Sequence, residues 1–291
     1  MKASELILRP NGAVYHLNLL PEDIADTIIF VGDPARTEMV AAHFERIDCR
    51  KGSREFQTIT GWIGKKRLSV LSTGIGTDNI DIVWQELDAL HNIDLHTRQI
   101  RADLRQLTVL RLGTCGGLQD DCPPDTLVLS RWAIGADGLM HFYAPEASPE
   151  LRAFSVSCSA YCQAAGFSVP VYGAQADQSI CDHIAASMDL REGITLTAAG
   201  FYGPQGRDLG RIPLRIADFP EKMAGFRYEG LPLLNLEMET AGIMGLGNAL
   251  GHRTASLSVI LAQRSRGLFS TNPTAAVEHL VKQGVHALVS Y

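Results

Sequence analysis

Short apolar runs alternate along the chain with segments of helical periodicity. Thr27-Ile28-Ile29-Phe30-Val31 is rich in β-branched residues and ends on Gly32-Asp33-Pro34. Leu68-Ser69-Val70-Leu71 runs into Ser72-Thr73-Gly74-Ile75-Gly76. Val109-Leu110-Arg111-Leu112 runs into Gly113-Thr114-Cys115-Gly116-Gly117. The same pattern predicts strands over 126–130, 169–173, 194–198, 233–236 and 254–261. Strands that are apolar on both faces belong to a sheet covered by helices on both sides. Ile80, Val83, Trp84, Leu87 and Leu90 recur at helical spacing, with Asp78 or Asn79 as the expected N-cap. Val277, Leu280, Val281, Val285 and Leu288 repeat that spacing after Pro273, and residues 239–250 are small and apolar enough for a buried helix. Residues 95–107 are charged and helix-prone, and read as a surface insertion before the third strand. With no internal repeat and no Pro/Gly/Ser linker, the alternation predicts one α/β domain over residues 1–291.

Composition narrows the function classes. The chain has 291 residues, enough to bury a large core. Its 26 Lys and Arg against 32 Asp and Glu leave a net charge of −6, which argues against non-specific binding of nucleic acid. Met1-Lys2-Ala3-Ser4-Glu5-Leu6 lacks a secretory pattern, and no run approaches the roughly 20 apolar residues of a membrane span. The six cysteines form no CxxC pair. Cys158 and Cys162 would share a helix face, but no second pair with zinc spacing follows. Reduced thiols in a cytoplasmic protein without a metal are therefore expected. The basic residues divide into 20 Arg and 6 Lys. Codon usage explains such a ratio, and so does a need for planar donor forks that match oxyanions.

The three glycine-rich turns are the informative feature. In open α/β sheets ligands bind beyond the carboxyl ends of the strands, and backbone N–H groups in such turns cradle anions. No Gly-Lys-Ser/Thr P-loop is present. Gly74-Ile75-Gly76 lacks the third glycine of a dinucleotide fingerprint. Arginines accompany the turns: Arg36 follows Gly32, and Arg111 lies inside an apolar strand. A buried Arg needs a counter-charge, which either a bound phosphate or a carboxylate would supply. Arg54, in Ser53-Arg54-Glu55-Phe56, is a third candidate.

Four segments, in order and spacing, resemble the nucleoside phosphorylase family. They are Gly32-Asp33-Pro34-Ala35-Arg36, Ser72-Thr73-Gly74-Ile75-Gly76, Arg111-Leu112-Gly113-Thr114-Cys115-Gly116-Gly117 and Asn235-Leu236-Glu237-Met238-Glu239. The family includes uridine phosphorylases, hexameric purine nucleoside phosphorylases and related nucleosidases, and the resemblance runs from about His16 to the end of the chain. It implies a three-layer α/β/α fold with a central mixed β-sheet. Phe201-Tyr202-Gly203-Pro204-Gln205-Gly206-Arg207 looks like the uracil-recognition loop of uridine phosphorylases. Gln205 can pair with a base edge that offers both a donor and an acceptor. The purine-specific relatives carry an Asp where this chain reads Val259-Ile260-Leu261-Ala262-Gln263-Arg264-Ser265. Arg264 there resembles the second uracil-side arginine of the pyrimidine enzymes.

The activity implied is reversible phosphorolysis of uridine to uracil and ribose 1-phosphate, with inorganic phosphate as co-substrate and no cofactor. Alternatives are a phosphorylase or nucleosidase for another nucleoside, and a catalytically silent nucleoside-binding module. By resemblance, Gly32, Arg36, Arg111 and Thr114 bind phosphate, and Arg54 completes that site from a neighbouring subunit. His16, Glu237, Met238 and Glu239 hold the ribose, with His16 reaching the 5′-hydroxyl across a dimer interface. Cys115, Gly116, Phe201, Gln205, Arg207 and Arg264 face the base. The resemblance implies a homodimer, or a hexamer built from dimers, with neither nucleic acid nor membrane as partner. Some relatives bind a monovalent cation between subunits. Glu55 and Ile75 match that site, while Asn79 replaces its hydroxyl residue. Cys115 also departs from the Thr or Ser that relatives often carry.

Overall fold

The computed structural model describes residues 1–216 and 218–291. The strands are β1 (Thr27–Val31), β2 (Arg46–Ser53), β3 (Phe56–Ile63), β4 (Lys66–Ser72), β5 (Ile93–Asp94), β6 (Gln99–Ile100) and β7 (Thr108–Gly117). Then follow β8 (Leu127–Ala136), β9 (Tyr172–Gln175), β10 (Arg191–Ala198), β11 (Arg227–Tyr228), β12 (Leu231–Glu237), β13 (Arg253–Gln263) and β14 (Leu268–Phe269). The helices are α1 (Ala35–Ala41), α2 (Thr77–Asn92), α3 (Pro149–Ala164), α4 (Gln178–Ser187), α5 (Phe219–Met223), α6 (Thr240–Ala249) and α7 (Pro273–Ser290).

One mixed sheet runs in the order β11-β12-β10-β8-β13-β7-β1-β4-β3-β2, with β9 added to β8 and β14 to β13. β1 is parallel to β4 and β7, and β13 is parallel to β7 but antiparallel to β8. The end of β7 also bends onto β12, pairing Gly116 with Leu236 and Gly117 with Asn235. β7, β13, β8, β10 and β12 thereby close into a barrel, from which β1, β4, β3 and β2 extend as a wing. Phe30, Arg111 and Ser256 stand in one row across β1, β7 and β13. That face meets α2 and α6: Phe30 lies 5.4 Å from the Trp84 ring, and Ser256 contacts Thr240 at 2.9 Å. Leu112 points the other way, against Gly284 of α7. The three layers follow from this alternation.

Trp84 anchors the α2 side. It is fully buried, its indole N–H donates to the Ile243 carbonyl at 3.1 Å, and it stacks on His252. Cys158 and Cys162 do share the buried face of α3, and all six cysteines are free thiols. Among the described residues no helix is long and apolar enough to cross a membrane.

Several expectations need correction. Residues 95–107 form no helix. β5 and β6 pair as a small hairpin in which the Asp94 carboxylate accepts from the N–H groups of His96 and Thr97. A local side-chain acceptor there outcompetes helical bonding. α2 begins one residue before Asp78, at Thr77, with Gly76 at the cap position at φ 95°. The strand expected at 169–173 lies at Tyr172–Gln175, and β8 runs to Ala136. The β2–β3 hairpin escapes the apolar pattern because β2 is an exposed edge strand with charged side chains.

His91 lies at the far end of the sheet, buried, with Nδ1 donating to the Leu87 carbonyl at 2.9 Å. Burial holds its pKa below the ordinary value, and Arg105 and His252 act in the same direction against Asp26. The unfolded chain then takes up this proton at a higher pH than the folded one. Stability is expected to fall as pH drops below about 6.5. Denaturant unfolding at pH 8 and pH 5.5 checks this: His91→Gln should flatten the difference, and an unchanged difference contradicts the assignment.

Candidate active site

The glycine turns after β1 and β4, the end of β7 and the end of β12 converge. Gly32 sits against the Gly74 carbonyl, so the first two turns touch. Arg111 rises from β7 into the space beyond them and is buried on every side. Its Nη2 bonds to Glu239 at 2.7 Å and to Glu237 at 2.9 Å, and its Nη1 donates to Ser258 Oγ at 3.0 Å. Of the two counter-charges that the sequence leaves open, the structure shows the carboxylates. Arg36, on α1, reaches over to donate to the Leu112 carbonyl at 3.1 Å. Burial and the nearby Arg111 lower its pKa. Arg36 forms no ion pair with a carboxylate among the described residues, which leaves its guanidinium open to an incoming anion.

The two carboxylates differ. Glu237 is held by its own surroundings: it accepts from the Glu239 and Thr240 N–H groups at 3.0 and 2.9 Å and from Thr197 Oγ1 at 2.6 Å. Glu239 accepts from the Gly76 N–H at 2.8 Å and from Arg111. Burial and then repulsion by Glu237 push its pKa up, against the pull of Arg111. Glu239 is therefore the carboxylate more readily released to a new donor, and Glu237 is the one that orients Arg111.

Gly113 explains how an arginine fits here. Its backbone lies beneath the Arg111 guanidinium, and a Cβ there would overlap Nη1. Gly113→Ala is expected to displace the guanidinium and lower any activity about 100-fold, with a smaller effect on stability. Kinetics alongside thermal unfolding check this, and unchanged turnover contradicts it.

A second cluster lies at the Gly116 end of β7. Arg264 packs its aliphatic stem on Gly116 and donates to the Gln205 carbonyl. Gln205 is buried, and its side-chain oxygen accepts from Arg207. Arg207 also donates to the Phe201 carbonyl at 2.5 Å, and its guanidinium lies 3.7 Å from the Phe201 ring centroid. Burial and Arg264 lower the pKa of Arg207. Phe201 is half-exposed, with one face already covered by Arg207. Cys115 is buried, with its thiol bonded to the Val259 carbonyl at 3.6 Å, and burial pushes its pKa up. Thr114 is half-buried beside it, and Met238 is half-buried between the two glutamates in sequence.

Two residues stand apart from both clusters. Arg54 is exposed at the tip of the β2–β3 hairpin, in left-handed backbone at φ 57°. His16 is bonded to Glu86 of α2 at 2.6 Å, through Nδ1. Glu55 and Asn79 both pack on Gly74. Among the described residues no group of three or more His, Cys, Asp or Glu side chains is placed to hold a metal ion. The sequence reading missed Glu86, Thr197 and Ser258. A polar side chain inside an apolar stripe or strand is the signal that singles them out.

Arginines gathered at the carboxyl ends of a mixed sheet, in a three-layer α/β protein, are placed to meet an anion and a carbonyl-bearing partner. The chain belongs to the phosphorylase superfamily, whose family description matches residues 26–288. It is 28% identical over 254 residues to the uridine phosphorylase of Treponema pallidum, covering 87% of this chain and 83% of that one. It is 24% identical over 253 residues to a DeoD-type purine nucleoside phosphorylase of Streptococcus suis, covering 84% of each. The solved structure of a Trypanosoma brucei nucleoside phosphorylase, described as showing uridine phosphorylase activity, superposes with a TM-score of 0.87 at 28% identity. It covers 98% of this chain and 100% of that one.

Proposed function

We propose that this protein is a uridine phosphorylase, a pentosyltransferase that splits uridine reversibly with inorganic phosphate into uracil and ribose 1-phosphate. The observation that carries the reading is the pairing of the Arg36–Arg111 cluster with the Gln205–Arg207–Arg264 cluster, on the two ends of β7's terminal segment. Phosphate binds at Gly32, Arg36, Arg111 and Thr114. On binding it takes Arg111 from Glu239, and the freed carboxylate accepts from a ribose hydroxyl beside Met238. Gln205 Oε1 is oriented by Arg207, so its second lone pair accepts from uracil N3–H while Nε2 donates to a carbonyl. Phosphate attacks C1′ as the C1′–N1 bond breaks, and the bonding pair leaves with uracil. Arg207 and Arg264 offset the charge that develops on the uracil carbonyls. Phosphate is the nucleophile, so no cofactor and no cysteine takes part.

The site draws on residues from His16 to Arg264, so residues 1–291 act as one domain in this reading. His16 and Arg54, which stand away from the pocket of their own chain, serve the site of a neighbouring subunit. A dimer is then the smallest active unit, and an active monomer in sedimentation overturns that part. Uridine incubated with phosphate should yield uracil and ribose 1-phosphate, and no turnover of any pyrimidine nucleoside sinks the reading. The likeness to the purine enzyme of Streptococcus suis supports a second reading, phosphorolysis of a purine nucleoside. A panel of nucleosides assayed with phosphate separates the two.

A further inference from the structure

Glu86 has no part in the reaction just described, yet it is one of the few buried carboxylates in the chain, 7% exposed on the packed side of α2. A carboxylate taken from water needs donors. All four of its bonds end on two adjacent residues of the N-terminal segment. The His16 N–H reaches Oε1 at 2.9 Å and Oε2 at 3.0 Å, the Leu17 N–H reaches Oε2 at 2.8 Å, and His16 Nδ1 lies 2.6 Å from Oε1. An ionised carboxylate only accepts, so the ring nitrogen that meets it carries the hydrogen. The imidazole is thereby fixed with Nδ1 inward and Nε2 outward. The His16 side chain is 27% exposed, and Nε2 makes no bond among the described residues.

The rest of the segment is tied down on the same side. Tyr15 stands edge-on to the imidazole, with ring centroids 5.0 Å apart. Arg9 donates to the Tyr15 carbonyl at 2.8 Å and to Ser53 Oγ at 2.7 Å. Ser53 adjoins Arg54 at the hairpin tip, so His16 and Arg54 belong to one braced platform, fastened to α2 through Glu86. An apolar residue at position 86 would suit the buried side of α2, but would leave two backbone N–H groups and an imidazole N–H without their acceptor.

We propose that Glu86 is a positioning residue for nucleoside cleavage: it fixes the tautomer and direction of His16 so that Nε2 meets the 5′-hydroxyl of a nucleoside bound by the neighbouring subunit. This rests on the reading of His16 given above. A merely structural role would affect every substrate alike, whereas this role is specific to the 5′-hydroxyl.

The test compares uridine with 5′-deoxyuridine, both with phosphate, in the wild-type oligomer and in His16→Ala, Glu86→Gln and the double variant. Glu86→Gln keeps an acceptor oxygen but removes the charge. It is expected to lower kcat/KM for uridine roughly tenfold, the worth of one hydrogen bond to a charged group, and to leave 5′-deoxyuridine within about twofold. The double variant should be no worse than His16→Ala alone. Equal losses on both substrates, or additive losses in the double variant, overturn the proposal. Nitrogen-15 NMR of the imidazole in the intact wild-type protein gives a readout that needs no folded variant. An Nδ1–H tautomer supports the proposal and an Nε2–H tautomer overturns it. If the wild type cleaves uridine while Glu86→Gln shows no selectivity between the substrates, only this inference falls. If the wild type cleaves no pyrimidine nucleoside, the reading beneath it falls as well.

Discussion

Arg111→Ala is expected to abolish turnover, with kcat/KM for uridine reduced about 1000-fold or more. The guanidinium bonds to both Glu237 and Glu239, at 2.9 and 2.7 Å. Removing it deletes a phosphate donor of the proposed site and also leaves two carboxylates buried together without their cation. Breaking a buried pair from one side costs about 3–5 kcal/mol. Part of that cost is relieved when one carboxylate takes a proton, and Glu239 is the one already pushed upward by burial and by Glu237. The sign of the pH dependence follows. A buried carboxyl group with a raised pKa binds its proton more tightly folded than unfolded, so the variant loses stability as pH rises. Thermal unfolding of wild type and variant at pH 5 and pH 8 should show the larger gap at pH 8. A larger gap at pH 5 contradicts the account. Adding Glu239→Gln to the variant should narrow the gap at pH 8 without restoring activity.

Arg207→Ala is expected to lower kcat/KM for uridine about 100-fold, with little change in stability. Arg207 bonds to the Gln205 side-chain oxygen and covers one face of Phe201, so its loss frees the Gln205 amide to rotate and uncovers the ring. The Arg36–Arg111 cluster is a separate set of residues, and on the proposed reading the KM for phosphate should remain within about twofold. Kinetics with each substrate varied in turn check this. Full activity in the variant would remove the 201–207 loop from base recognition. Replacing Arg207 by Lys should not restore the rate, because a point charge lacks the planar fork that reaches Gln205 and a carbonyl at once.

The sheet was legible where strands are buried on both faces. β1, β4, β10, β12 and β13 announce themselves as apolar runs, and the structure places them within a few residues of expectation. β7 begins as expected, but Gly113–Gly117, read from the sequence as a glycine-rich turn, continues the strand because it pairs with β13 and β12. β2 was not legible, because an exposed edge strand with Arg46, Asp48, Arg50 and Lys51 lacks that signature. Residues 95–107 misled for the opposite reason. Their composition suits a helix, but Asp94 caps a tight turn and the segment folds back as a hairpin. The candidate site residues stood out as residue types beside turns. Their partners did not, because partnership depends on which strands are neighbours. Arg111 and Glu239 are separated by 128 positions in sequence.

By itself the amino-acid sequence determined the layering of the protein and marked the residues of a candidate site. Runs apolar on both faces require helices above and below, and glycine turns at the strand ends leave backbone and arginines free to meet an anion. The tertiary structure alone decided how those groups are engaged. It closed β7 onto β12, which brought Arg111 to Glu237 and Glu239. It set Gly113 beneath the guanidinium and seated the carboxylate of Glu86 under His16. Apolar patterning is read along the chain, one residue after another. Charge pairing in a buried site acts across strands and helices far apart in sequence, and only the packed fold fixes those distances.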